Sequence, residues 1–285
     1  MKKFIKLFLI CLTITLLSGC KKDSMDEITI YTSLYPIEFV TNELYGKHAE
    51  VLSIYPSDVN PYKYKLTKKQ INNYSNSDLI IYNGLEKERD YIVEMINKNK
   101  NLKIIDSTAK IEYTNSMDEL WINPSNMITI AQNIKNGLKE YITSSYLQDE
   151  IDKNYDLLKL ELSTLDANLK EATQNAKNTT IIVNDNDLKV LSKYGLNIVS
   201  IDESTMTDKD LADAKALLNN KTCKHIFVKK GYKETDNLKQ LKEKYDIDYL
   251  EIDTLNNISL DDKNNNKTFI TIMKENIDNI KEELY

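Results

Sequence analysis

Four polar side chains, far apart in the sequence, offer oxygen atoms that can bind a cation: Tyr62, Glu119, Asn184 and Asp253. Phenol, carboxylate and amide oxygens suit a hard divalent cation better than zinc, which prefers imidazole and thiolate ligands. Glu119 and Asp253 would supply the two negative charges that hold such an ion. Tyr62 is the weakest ligand, because its ordinary pKa near 10 requires a metal to drive off its proton.

Two lysines offer a competing interpretation of the same residues. Lys229 and Lys230 follow a predicted strand, so an ammonium group could reach Glu119 or Asp253 and take the place of the ion. Buried carboxylates without a cation are costly, and a lysine would remove that cost. Metal binding and an internal ammonium therefore both remain open.

The elements that must position these residues form two sets of alternating strands and helices. In the first set the sequence predicts strands at 28–33, 51–55, 79–82 and 102–105 and helices at 37–45, 67–74 and 86–97. In the second set it predicts strands at 180–183, 197–201, 225–228 and 249–252 and helices at 187–194, 208–219, 235–245 and 269–283. This alternation favours two α/β lobes with parallel sheets, and ligands of such sheets bind beyond the carboxyl ends of the strands.

One long amphipathic segment separates the two sets. Apolar residues recur every three or four positions from Leu147 to Ala176, and no Pro or Gly lies between Gly137 and Tyr194. The spacing predicts a single rigid helix over 145–177, roughly 50 Å long, that limits hinge motion between an N-terminal lobe at 28–144 and a C-terminal lobe at 178–285. A coiled-coil partner is the alternative use of the stripe. The polar run 261–267 is predicted to be a solvated loop.

The N-terminus has the pattern of a secretion signal. Lys2, Lys3 and Lys6 precede a short apolar run, which is too short to span a bilayer, and Leu-Ser-Gly-Cys follows at 17–20. This ending resembles the lipobox of bacterial lipoproteins. It implies a signal peptide at 1–19, a lipid on Cys20, a tether at 20–27 and a position on the extracytoplasmic face of the cell membrane.

The composition excludes several classes of protein. Formal net charge is −6 and Arg89 is the sole arginine, which argues against a nucleic-acid partner. With Cys11 in the signal peptide and Cys20 lipidated, Cys223 is left alone, so neither a disulfide nor a thiolate metal site can form. We find no Ser/His/Asp set, HExxH motif or glycine-rich phosphate loop, so we expect no enzyme.

Several segments resemble one known family, the solute-binding lipoproteins of bacterial ABC importers for zinc and manganese. These segments are "YPSDVNPYKYKLTKKQI", "SNSDLIIYNGLEKE" and "LWINPSNMITIAQNI", and the resemblance runs in order from residue 28 to residue 285. It implies two lobes joined by a long helix, a divalent cation as the transported ligand, and an ABC permease as the partner. We expect a monomer.

The family's ligand positions depart from its pattern in this chain. The first two family histidines fall on Tyr62 and Glu119, and the third ligand, His or Glu in relatives, falls on Asn184. The fourth ligand is kept as Asp253, while lysines stand where the family commonly has an acidic residue after the strand. Because all four positions still carry oxygen donors, we expect the protein to function as a metal-ion receptor. A degenerate member that binds another solute or a protein is the alternative.

Overall fold

The computed structural model describes residues 23–84, 87–113 and 117–285. The predicted signal peptide and the lipidation site at Cys20 lie outside the described residues. The ranges predicted to form the two lobes and the linking helix lie within the described residues, except for 85–86 and 114–116.

The N-terminal lobe is a four-stranded parallel sheet covered by helices. Its strand order is β2-β1-β3-β4, and all neighbouring strands pair in parallel. Its elements are β1 (Ile28–Thr32), α1 (Tyr35–Tyr45), β2 (Ala49–Ser53), α2 (Lys68–Tyr74), β3 (Leu79–Tyr82), α3 (Lys87–Lys98), β4 (Lys103–Asp106), α4 (Glu119–Ile122) and α5 (Pro124–Tyr141).

The C-terminal lobe repeats this architecture, with strand order β6-β5-β7-β8 and parallel pairing throughout. Its elements are β5 (Thr180–Val183), a 3₁₀ helix (Asn186–Tyr194), β6 (Asn197–Ser200), α7 (Asp208–Asn219), β7 (His225–Lys229), α8 (Asp236–Tyr245), β8 (Asp248–Ile252), α9 (Leu260–Asn264) and α10 (Phe269–Leu284). The predicted fold class, two α/β lobes with parallel sheets, is confirmed.

A single helix, α6 (Ser145–Gln174), joins the lobes. Its 30 residues span about 45 Å at 1.5 Å per residue. It packs against α1 and α5 of the N-terminal lobe and against α10 of the C-terminal lobe. The apolar stripe from Leu147 to Ala172 is buried within the chain, so these contacts account for it without a coiled-coil partner. The helix ends three residues before the predicted boundary at 177.

The segment predicted as a tether is partly packed onto the N-terminal lobe. The Asp23 carboxylate accepts hydrogen bonds from the backbone N–H groups of Thr143 and Ser144, at 2.8 and 2.6 Å, just before α6 begins. Met25 is fully buried, and its carbonyl accepts a hydrogen bond from the Tyr45 hydroxyl. Within the predicted tether range 20–27, Asp23 and Met25 are therefore in contact with the N-terminal lobe.

Two local predictions differ from the structure, and one short helix was not predicted. The segment at 187–194 is a 3₁₀ helix, with the Asp185 carboxylate accepting from the Asp187 N–H at its start. The run 261–267 is only partly a solvated loop, because α9 forms there and Asp262 is 4% exposed. The four-residue helix α4 was not predicted. Within the described ranges, no helix is both long and apolar enough to cross a membrane.

Candidate functional site

A cavity of about 570 Å³ lies between the lobes. The N-terminal lobe lines it with the loop after β2, including Asp58, Asn60 and Tyr62. The C-terminal lobe lines it with the segments after β5, β7 and β8. Because all the strands of each sheet are parallel, these loops leave the carboxyl ends of the strands at one edge, where ligands of such sheets bind.

Tyr62 enters the cleft from a tight turn. The Asn60 side-chain oxygen accepts from the Tyr62 N–H at 2.9 Å, and the Asn60 carbonyl accepts from the Tyr64 N–H at 3.0 Å. The Tyr62 hydroxyl donates a hydrogen bond to Asp118 Oδ1 at 2.5 Å. Burial, together with the negative charge of Asp118, raises the pKa of this hydroxyl. Tyr62 is therefore a neutral proton donor to a carboxylate.

Asp118, which the sequence did not single out, lies between the lobes beside Tyr62. It is 1% exposed, and it also accepts from Lys229 Nζ at 3.1 Å and from Asn256 Nδ2 at 3.3 Å. Glu119 is the first residue of α4 and is equally buried, and neither Asp118 nor Glu119 is among the described residues that line the cavity. One residue is about 100° of rotation on a helix, so adjacent side chains at its start point to different surroundings.

Asn184 follows β5 and contributes to the cavity wall. Its backbone N–H donates to the Phe227 carbonyl at 2.9 Å, which continues the ladder between β5 and β7. Its side-chain oxygen is buried and, within the described part of the chain, has no hydrogen-bond donor. A buried acceptor without a donor is uncommon in native structures, and a cation or a ligand donor would satisfy it.

Asp253 follows β8 and also lines the cavity. Its Oδ1 accepts from the Leu255 N–H at 2.8 Å, and its Oδ2 lies 3.1 Å from Lys230 Nζ. Lys230 is shared with Asp262 of α9, at 2.6 Å. Burial alone would lower the pKa of Lys230, but the carboxylates of Asp262 and Asp253 raise it. An ammonium group thus neutralises Asp253.

Lys229, the last residue of β7, makes a second ammonium–carboxylate cluster. Its Nζ contacts Asp187 Oδ2 and lies 3.1 Å from Asp118 Oδ2 and 3.7 Å from Asp185 Oδ2. Burial works against the charged form, but these carboxylates outweigh it and raise the pKa of Lys229. The structure therefore brings Tyr62, Asn184, Asp253 and both lysines to one cleft.

As placed, no group of three or more His, Cys, Asp or Glu side chains in the described ranges is arranged to hold a metal ion. In the cleft, the nearest oxygens of Asp118 and Asp185 lie 3.1 and 3.7 Å from Lys229 Nζ. These distances are longer than metal–oxygen distances, which are about 2.3–2.6 Å for Ca²⁺ and about 2.1 Å for Mg²⁺. The carboxylates are spaced for an ammonium group. A metal ion would have to displace a lysine and draw the oxygens inward.

The architecture and the cleft can be compared with known proteins. The model of the family described as zinc-uptake complex component A, periplasmic (ZnuA), matches residues 30–283, which is most of the chain. The chain belongs to this family. Its departures from the expected ligand set are therefore changes within a ZnuA-family protein.

Curated relatives of this ZnuA-family chain include two metal-uptake proteins. The high-affinity zinc uptake system protein ZnuA of Bacillus subtilis is 23% identical over 321 aligned residues, covering 99% of this chain and 98% of that protein. The manganese ABC transporter substrate-binding lipoprotein PsaA of Streptococcus pneumoniae is 26% identical over 193 residues, covering 61% and 62%. Among solved structures, the metal-dependent lipoprotein YcdH of Bacillus subtilis has the same fold, with a TM-score of 0.77, 20% identity and coverage of 90% and 99%.

Proposed function

We propose that this ZnuA-family chain is the solute-binding component of a metal-ion ABC importer. It captures a divalent cation outside the cytoplasmic membrane, in the cleft between its lobes, and passes the cation to a permease. The observation that carries the proposal is the polar cavity of about 570 Å³ that loops from both lobes line at the carboxyl ends of their strands. Relatives named for zinc and for manganese uptake support the class of cargo.

The proposed ligands at the family positions are Tyr62, Glu119, Asn184 and Asp253, and Glu119, which does not line the cavity as placed, would have to turn toward the ion. Asn184 supports the set most directly, because its buried side-chain oxygen lacks a donor among the residues that the structure describes. Asp253 would bind the ion after Lys230 moves away from it. Tyr62 would act as a neutral oxygen, since its raised pKa opposes loss of the proton. Such a set favours a hard cation over tightly bound zinc.

The long helix sets the kind of motion that cargo release requires. Because α6 packs on helices of both lobes, wide separation of the lobes would expose its buried stripe. Release therefore needs only a modest opening of the cleft, by movement of loops and small rotations of one lobe.

We infer the cellular location and the partners of the protein from its N-terminus and its family. Cleavage before Cys20 and acylation of its thiol would anchor the chain to the extracytoplasmic face of the cell membrane. The partners would be that membrane and the importer's permease, and the protein would act as a monomer. Mass spectrometry of the mature N-terminus tests the lipid directly.

A second candidate function follows from the Lys230 contacts. Lys230 Nζ lies 3.1 Å from Asp253, the one ligand that keeps the family's residue type, and an ion pair with Asp262 holds it there. If this ammonium replaces the ion permanently, the cleft has lost metal binding and accepts another polar solute or a protein partner. The lysine side chain is 40% exposed, so displacing it costs less than displacing a buried group.

Metal analysis of the purified protein, with a thermal-melt screen against Mn²⁺, Zn²⁺, Fe²⁺, Ca²⁺ and Mg²⁺, separates these two functions. A cation bound by the folded state alone raises Tm in proportion to the logarithm of its concentration above Kd. We expect Asp253→Asn to abolish the shift and the surface variant Asp248→Asn to keep it. If no cation copurifies with the protein or raises its Tm, cation capture is wrong and the second candidate replaces it.

A further inference from the structure

The segment that follows Asp253 contacts the opposite lobe. It comprises residues 254–260, runs from the end of β8 to the first residue of α9, and lines part of the cavity. We call this segment the strap. The loop that it contacts, residues 56–62, follows β2 and places Tyr62 in the opposite wall of the cavity. The strap therefore connects the two loops that carry the proposed ligands Asp253 and Tyr62.

Asn257 makes the most specific contact of the strap with the N-terminal lobe. Its Nδ2 donates hydrogen bonds to the backbone carbonyls of Val59, at 2.8 Å, and Pro56, at 3.2 Å. Its Oδ1 accepts from the Ile258 N–H at 2.9 Å, so the amide is oriented with its nitrogen toward the N-terminal lobe. One side chain thus holds two carbonyl groups of a loop that belongs to the other lobe.

Two further hydrogen bonds lie on either side of Asn257. Before it, Asn256 Nδ2 donates to Asp118 Oδ2 at 3.3 Å. After it, the Leu260 N–H donates to Asp58 Oδ1 at 3.1 Å. The strap is therefore bound to the N-terminal lobe at three points along its length.

The contacts of the strap differ from those that join the lobes beside α6. Asp58 and Leu260 are exposed and Asn257 is half-buried, so water can replace these hydrogen bonds at a small net cost. Beside α6, Phe39 of α1 stacks on Phe269 of α10 with 5.4 Å between ring centroids, and both rings are buried. Separating such rings would expose apolar surface to water. We therefore expect the strap to release while the lobes stay joined beside α6.

The backbone on both sides of this contact is strained. Asp58 and Leu255 both have a φ of 62°, in the left-handed region. This region is unfavourable for residues that carry a Cβ, and for a bulky side chain such as leucine above all. Leu255 is 1% exposed, and its N–H donates to Asp253 Oδ1 at 2.8 Å, which holds it in place. Strained residues of this kind occur in ligand clamps and switch regions, and loss of the contacts would let both loops relax.

We propose that residues 254–260 are a releasable strap that holds the two walls of the cleft together, and that Asn257 is its positioning residue. Opening of the strap separates the loops that carry Asp253 and Tyr62, while α6 keeps the lobes joined. The strap does not depend on the identity of the cargo. Its use as the gate for cargo release rests on the proposed function.

Hydrogen–deuterium exchange of the folded protein in EDTA tests the strap without any cargo. Asn257→Ala removes both donated hydrogen bonds, which together should shift the opening equilibrium roughly tenfold. We expect about tenfold faster exchange in residues 56–64 as well as in 254–260, and no change in β3. Asn279→Ala is the matched control, because the Asn279 amide donates to the Glu251 carbonyl at 2.8 Å within the C-terminal lobe. Unchanged exchange in 56–64 would overturn the proposal.

A variant of the opposite lobe decides the question if Asn257→Ala unfolds the whole protein, which faster exchange in β3 would reveal. Asp58→Gly removes the acceptor of the Leu260 N–H and lets the backbone keep its positive φ. It should speed exchange in 254–260. Asp58→Asn keeps an acceptor oxygen and tolerates the left-handed region, so exchange there should stay as in wild type. Unchanged exchange in 254–260 with Asp58→Gly would then overturn the strap.

Release of Mn²⁺ separates the strap from the proposed function. The protein loaded with Mn²⁺ is mixed with an excess of a fluorescent chelator in a stopped-flow instrument. If cargo leaves when the strap opens, the release rate follows the opening equilibrium, so we expect release from Asn257→Ala to be about tenfold faster than from wild type or Asn279→Ala. Equal rates would overturn the strap as the gate and leave cation capture intact. Absence of Mn²⁺ binding in all three proteins would overturn capture of this cation, whereas the exchange experiment still decides the strap.

Discussion

The hydrogen bond from Tyr62 to Asp118 gives the sharpest prediction about the stability of the cleft. Asp118 is 1% exposed, and its carboxylate accepts from the side chains of Tyr62, Lys229 and Asn256. Tyr62→Phe removes one of these donors and leaves the shape of the ring. Hydrogen bonds to charged groups contribute about 1.5–3 kcal/mol, and the buried acceptor cannot turn to water instead. We expect the free energy of unfolding to fall by about 2 kcal/mol.

Urea denaturation followed by circular dichroism measures this loss. The matched control is Tyr249→Phe, because the Tyr249 hydroxyl also donates to a carboxylate, that of Glu234, at 3.1 Å, but in an exposed position. Water replaces the lost partner there, so the control should lose less than about 0.5 kcal/mol. Equal losses in the two variants, or no loss at Tyr62, would refute the claim that the tyrosine is a buried proton donor to Asp118.

Two further predictions concern the scaffold that holds the cleft. Leu162→Ala, at a fully buried position of α6, should lower the free energy of unfolding measured by urea denaturation by about 2–5 kcal/mol. Leu160→Ala is the control, because Leu160 is 66% exposed on the same helix, and it should lower that free energy by less than about 0.5 kcal/mol. Similar losses in the two variants would contradict the packing of α6. Burial raises the pKa of Glu88 from 4.5 to about 8. The folded state then binds a proton that the unfolded state releases, so the free energy of unfolding should fall as pH rises through this range. Glu88→Gln should flatten that pH profile, and an unchanged slope would show that Glu88 is not its source.

Much of the fold could be predicted from the sequence because its local signals agree with the tertiary structure. Apolar residues recur at helical spacing from Leu147 to Ala172, which places them on one face of a helix. In the structure this face is buried, as expected for an apolar helix face. Strand positions were predicted to within two residues, as with β2 at Ala49–Ser53 against the predicted 51–55. The packing of Asp23 could not be predicted, because its partners at Thr143 and Ser144 are 120 and 121 residues away.

The site was harder to predict than the fold because it depends on where short helices begin. The family's second ligand lies two residues before the shared tryptophan, so the resemblance places it at Glu119. In the structure α4 begins at Glu119, and the carboxylate that contacts the Tyr62 hydroxyl is that of Asp118. The run "NDND" at 184–187 contains the N-cap residue of the 3₁₀ helix, Asp185, and this capping pattern was the available signal for Asp185 and Asp187. Lys229 was a candidate, but its three partners come from two distant segments that no local pattern joins.

Anomalous diffraction from crystals of the wild-type protein grown with Mn²⁺ tests cation capture in the cleft most directly. We expect one manganese peak between the lobes, about 2.0–2.6 Å from carboxylate oxygens of both lobes, with Lys230 Nζ moved away from Asp253. A cleft without a manganese peak, in which Lys230 still contacts Asp253, would contradict cation capture in the cleft.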